Sequence, residues 1–86
     1  MSQSVLMVCR TGNLAHKVRR ELHIDAIGPL AMMAGGRWSR IYVNIGPDDF
    51  DSETEWRAVE KWLNEVLPLK LAAGGEILHM YRAPRT

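Results

Sequence analysis

One cysteine, one phenylalanine and no apolar run longer than five residues set the first limits on this chain. Cys9 has no partner for an internal disulfide, and neither a cysteine pair nor a His-x-x-x-His spacing offers a zinc site. A five-residue run, Val5 to Cys9, is far short of a membrane span. The opening Met1-Ser2-Gln3-Ser4 carries no basic stretch ahead of that run, so no signal sequence and no membrane partner are expected, and the expected setting is cytoplasmic and reducing. The chain has 86 residues, no room for a catalytic domain beside a cofactor domain, and its 47% apolar and 24% charged content is that of an ordinary globular protein. A single domain over residues 1–86, with its core in 5–81, is expected.

Charge is nearly balanced but unevenly placed. Residues 1–40 hold six basic side chains against two acidic ones, whereas residues 41–86 hold five against eight. A basic half attracts phosphate, and an acidic half discourages indiscriminate binding to nucleic acid; halves that neutralise each other in the fold give the same pattern.

Hydrophobic periodicity supplies the fold. Val5-Leu6-Met7-Val8-Cys9 reads as a short central strand covered on both faces of a parallel sheet. Leu14, Val18 and Leu22 then recur at four-residue steps, with His16, Lys17, Arg19, Arg20 and His23 mostly elsewhere on the wheel: an amphipathic helix with a basic outer face, capped by Thr11 or Asn13. Gly28-Pro29 marks a turn, and Leu30 to Ala34 is read as a short strand. Ile41, Val43 and Ile45 alternate with Tyr42 and Asn44, a strand that Gly46-Pro47 ends. Ser52-Glu53-Thr54-Glu55 has capping-box spacing and opens a long helix with a buried stripe of Trp56, Val59, Trp62, Leu63, Val66 and Leu67. Pro68 ends or bends that helix, and Gly74-Gly75 releases a last strand, Glu76 to Tyr81. The expected fold is α/β: a small, three- to four-stranded, mostly parallel Rossmann-like sheet with two main helices.

In such sheets ligands bind beyond the carboxyl ends of the strands. Two loops lie there. Arg10, Thr11, Gly12 and Asn13 leave the first strand and start a helix, combining a full positive charge with helix-start amides and a glycine that admits close approach. Asn44 and Asp48 belong to the loop after the alternating strand. These six residues form the expected anion or ligand site; the competing account is that Gly12 only makes the turn and Thr11 or Asn13 only caps.

The segment Val5 to Asn13 resembles the first strand and phosphate loop of low-molecular-weight tyrosine phosphatases, in which an arginine follows the cysteine by six positions. Ala15 stands there in this chain, so nothing would hold a transferring phosphoryl group and phosphatase activity is not implied. Cys9, Thr11 and Gly12 also resemble the loop of cysteine-phosphorylated IIB subunits of the sugar phosphotransferase system, which implies a phosphocarrier role for Cys9, although His16 replaces the usual closing Ser or Thr. Arg37-Trp38-Ser39-Arg40-Ile41-Tyr42-Val43-Asn44, the following helix, and Val66 to Leu78 with its Gly74-Gly75 are similar to the strand-helix-strand end of Rossmann-fold methyltransferases over about half the chain. The glycine-rich first loop and the acidic residue that read the methyl donor are missing, so that resemblance implies topology and not methyl transfer.

No catalytic set or metal-ligand set assembles, and no cofactor is implied. Asp48, Asp49 and Asp51 suit a helix entry, the alternative being that they hold Mg²⁺ beside a phosphate. Trp38 between Arg37 and Arg40 puts a ring between two guanidinium groups, useful for a protein interface or single-stranded nucleic acid, and Lys17, Arg19 and Arg20 extend that surface. The expected function is a non-catalytic binding or regulatory protein engaging a macromolecule, a protein before a nucleic acid. The compact frame resembles bacteriophage accessory proteins that act on host proteins. The alternative is a small-anion or nucleotide binder, or phosphocarrier, using Cys9 to Asn13.

Overall fold

A computed structural model describes residues 4–31 and 36–80. In chain order its elements are β1 (Val5–Val8), α1 (Gly12–Leu22), β2 (Asp25–Ile27), β3 (Trp38–Val43), α2 (Glu53–Glu65) and β4 (Leu71–His79), with 3-10 turns at Pro47–Asp49 and Leu67–Lys70. The four strands form one sheet in the order β2-β1-β3-β4, and every pairing is parallel. This is the small Rossmann-like α/β arrangement expected, with β1 in the interior.

Each face of β1 meets a different layer because successive side chains point to opposite sides. Leu6 and Val8 join Ile41, Val43, Ile45, Val59, Trp62, Leu63 and Leu67 in the larger core cluster, under α2. Cys9 joins Ala15 and Ala26, with Met7, Leu14 and Val18 packed around them, under α1. That second cluster takes nothing from β3 or β4. On the α1 side those two strands carry Arg40, Tyr42, Glu76 and Leu78, with Arg40 paired to Glu76 at 3.2 Å.

Both helix starts follow from their caps. Thr11 Oγ1 accepts from the Leu14 amide at 3.1 Å, and Ser52 Oγ accepts from the Glu55 amide at 3.1 Å. Helix α1 stops at His23, which takes a left-handed φ of 56° and donates its amide to the Arg19 carbonyl.

Several expectations need correction. The second strand of the sheet is Asp25–Ile27, and of the expected strand Leu30 to Ala34, Leu30 lies in a turn with Pro29 at φ 60° and 32–34 lie outside the described residues. The last strand begins at Leu71, five residues before Glu76, while Tyr81 lies outside the described residues. Leu22 and Val66, placed in the buried helical stripes, are exposed (58% and 38%): Leu22 is the last residue of α1 and Val66 the cap after α2; Trp56 is only half-buried.

Trp38 is the largest correction. It is 5% exposed and belongs to the α2-side core, so it cannot present a ring to a partner. The cause is a bulge. The amides of Ser39 and Arg40 both donate to the Ser4 carbonyl, at 3.0 and 3.2 Å, so two residues of β3 face one residue of the neighbouring chain. Strict alternation would put Trp38 on the side of Arg40 and Tyr42; the extra residue moves it to the side of Ile41 and Val43. Strand β4 accommodates the break through its glycines: Trp38 pairs with Leu71 but Arg40 with Glu76. A Cβ on Gly75 would lie 2.7 Å from the Ser39 carbonyl oxygen, and Gly74 has φ +78°.

Candidate functional site

The order β2-β1-β3-β4 contains one reversal. From β1 the chain crosses to β2 on one side, and from β3 it crosses to β4 on the other, so the loops leaving β1 and β3 diverge. A crevice at that point is the usual ligand position in open parallel sheets. The backbone bonds at the carboxyl rim trace the split. The Asn44 amide still donates to Val8 O at 3.0 Å, but the Cys9 amide turns to Ile27 O at 2.8 Å and the Met80 amide reaches Val43 O at 2.7 Å.

Beyond this rim lies an open cleft of about 440 Å³, lined by Arg10, Leu14, Asn44, Gly46, Asp48, Asp49 and Met80. Three residues expected from the sequence, Arg10, Asn44 and Asp48, are therefore brought together from two loops. Thr11, Gly12 and Asn13 are exposed at the start of α1 but do not line the cleft; the Thr11 hydroxyl is engaged as the helix cap. Gly28 lets the start of that helix pack closely against it, since a Cβ there would stand 3.0 Å from the Gly12 amide nitrogen.

The far wall is braced. Asp49 Oδ2 accepts from the Gly46 amide at 2.9 Å, closing the 3-10 turn on itself. Arg10, Asn44 and Asp48, by contrast, make no side-chain hydrogen bond or ion pair among the described residues, and all three are exposed. Among the described residues, four other arginines are engaged. Arg19 donates to the Ala26 carbonyl and Arg37 to the Leu69 carbonyl, Arg40 pairs with Glu76, and Arg57 bridges Glu53 and Glu60 at 3.0 Å each. Neighbouring Tyr42 and the Glu76 carboxylate hold the Arg40 guanidinium above its ordinary range. Of the expected partner surface, then, Trp38 is interior and Arg19, Arg37 and Arg40 have contacts within the chain, leaving Lys17 and Arg20 exposed on α1.

Cys9 is wholly buried on the α1 side and does not line the cleft. Burial pushes its thiol above the ordinary range, against a smaller lowering from Arg19. A buried protonated thiol is a poor nucleophile, so this geometry does not suit Cys9 to accept a phosphoryl group. Among the described residues no cluster of three His, Cys, Asp or Glu side chains is placed to hold a metal ion, and no helix is long and apolar enough to cross a membrane.

Leu14, Gly46, Asp49 and Met80 complete the cleft without having been singled out from sequence. Leu14 satisfies the helical stripe and so reads as core, and Met80 reads as one more strand residue. Only the pairing of β4 beside Val43 brings Met80 to the rim. No family model, curated protein or solved structure matches the chain.

Proposed function

We propose that this chain is a small, non-catalytic binding protein whose ligand is a small phosphorylated molecule of nucleotide type, held in the cleft between the loops after β1 and β3. The observation that carries the reading is the convergence of Arg10, Asn44 and Asp48 at the reversal of strand order, each without a partner among the described residues. A guanidinium free of carboxylates is poised for a phosphate. A bare anion is a poor fit, because Asp48 and Asp49 stand on the opposite wall. A ligand whose anionic end meets Arg10 and whose hydroxyl or amino groups donate to Asp48 and Asn44 uses both walls, and Leu14 and Met80 give it apolar contact.

Calorimetric titration with adenosine monophosphate, inorganic phosphate and adenosine tests this. The monophosphate should bind more tightly than either fragment, and Arg10→Ala should weaken it about tenfold or more, the loss of a charge-assisted hydrogen bond of about 1.5–3 kcal/mol. No binding of either phosphate compound at millimolar concentration would reject the reading.

A protein partner is the second reading, favoured by Lys17 and Arg20, which stay exposed and unpaired among the described residues on the outward face of α1. Under it, Lys17→Glu with Arg20→Glu abolishes capture of a partner from host lysate while leaving the cleft intact.

A further inference from the structure

A second depression, of about 370 Å³, is lined by Pro47, Phe50, Asp51, Ser52, Glu53, Trp56 and Arg57. Its floor is aromatic. The Phe50 and Trp56 rings lie 5.8 Å apart, tilted by 37°, and both are half-buried against the α2-side core, so each keeps part of its surface open. Rings that lean on each other do not enclose a cation between them, but with Pro47 they form an apolar ledge.

The groove itself is lined by two carboxylates, Asp51 and Glu53, and one guanidinium, Arg57. Residues 48–55 contain Asp48, Asp49, Asp51, Glu53 and Glu55 and no lysine or arginine. The lining guanidinium, Arg57, is held by Glu53 and Glu60. Glu53 and Glu55 suit the first turn of α2. Asp51 lies outside that turn, lines the groove, is exposed, and makes no hydrogen bond or ion pair among the described residues.

We propose that this groove docks an extended peptide segment in which proline stands beside arginine or lysine. The apolar ledge matches the side of a polyproline II helix, a backbone that is already extended and loses little entropy on binding. The basic side chain meets the Asp51 carboxylate and the open face of Trp56, where a cation is attracted to the indole. The same charge repels nucleic acid and acidic peptides.

The test is a titration of the full chain, labelled with ¹⁵N, with an acetylated and amidated (Pro-Pro-Arg)₃ peptide, beside (Pro-Pro-Glu)₃ and (Ala-Ala-Arg)₃ controls. The basic proline peptide should shift the Trp56 indole N–H and the amides of Asp51 and Ser52, with at least fivefold weaker binding for Asp51→Asn. Trp56→Phe, which keeps an aromatic packing surface, should weaken binding by a similar factor while leaving the spectrum folded. An unmoved Trp56 indole at millimolar peptide, equal binding of the glutamate peptide, or equal binding of the alanine peptide would each overturn the proposal, as would an Asp51→Asn variant that binds like the parent.

Discussion

The indole Nε1 of Trp38 donates to Oδ2 of Asp25 at 2.5 Å, joining β3 to β2, the two strands that flank β1. A buried tryptophan that crosses the central strand needs this acceptor for its N–H. Trp38→Phe keeps most of the ring packing and removes the donor, so stability should fall by about 1–2 kcal/mol, and the exposed carboxylate should rehydrate. Asp25→Ala should cost a similar amount. In urea melts the double variant should lose clearly less than the two single losses combined; strict additivity would show that the bond contributes nothing.

Gly75 and Gly12 should respond to alanine in opposite ways. At Gly75 the new Cβ meets the Ser39 carbonyl at 2.7 Å, backbone that cannot swing aside, and Gly75→Ala should cost about 1–3 kcal/mol. At Gly12 nothing lies within 4 Å, and alanine suits a helix better, so Gly12→Ala should raise stability by about 0.5–1 kcal/mol. Thermal melts of the two variants check both signs. A stabilised Gly75→Ala would mean the bulge in β4 is looser than described.

How much of this was legible before any coordinates varied with the physical scale of the signal. The interior strand, both helices and the Ser52 cap show in the sequence because period and capping are local, while Thr11 and Asn13 remain equal candidates for the first cap until the Leu14 amide is seen to choose Thr11. Asp25–Ile27 is too short to display a period, and the Gly74-Gly75 pair hides the first half of β4 because glycine there marks a bulge inside a strand and not the strand's start. The burial of Trp38 is non-local in origin: one extra residue opposite Ser4 reverses which face its side chain takes, and no spacing within Arg37 to Arg40 reports that. The cleft was half-readable. Arg10, Asn44 and Asp48 sit on loops that the switch-point rule selects, whereas Met80 reaches the site only through sheet order.

Cys9 should be inert in the native protein. Buried, with its pKa raised mainly by desolvation, it should resist a disulfide-exchange reagent at pH 8 and react fully once urea unfolds the chain. Folding holds the proton, so the native state binds it more tightly than the unfolded state does. Stability is therefore undiminished below about pH 9, the thiol's ordinary value, and falls as the pH rises beyond it. Cys9→Ser should remove that alkaline loss, at some cost from burying a hydroxyl. Rapid labelling of the native protein would contradict the burial.

The Asp49 carboxylate braces the wall of the cleft through the Gly46 amide. Asp49→Ala should lower stability by about 1 kcal/mol and speed hydrogen exchange at Gly46, with exchange in β1 changed only by the global loss. Unchanged exchange at Gly46 would show that the turn holds without the carboxylate.

The most direct measurement is a ¹H–¹⁵N titration of the whole chain with adenosine monophosphate. A ligand at the reversal of strand order should shift the amides of Arg10, Leu14, Asn44, Gly46 and Asp48 together along one saturating curve, and Arg10→Ala should flatten that curve. Shifts confined to the outer face of α1, or a spectrum unchanged at millimolar nucleotide, would contradict a nucleotide-type ligand in the cleft.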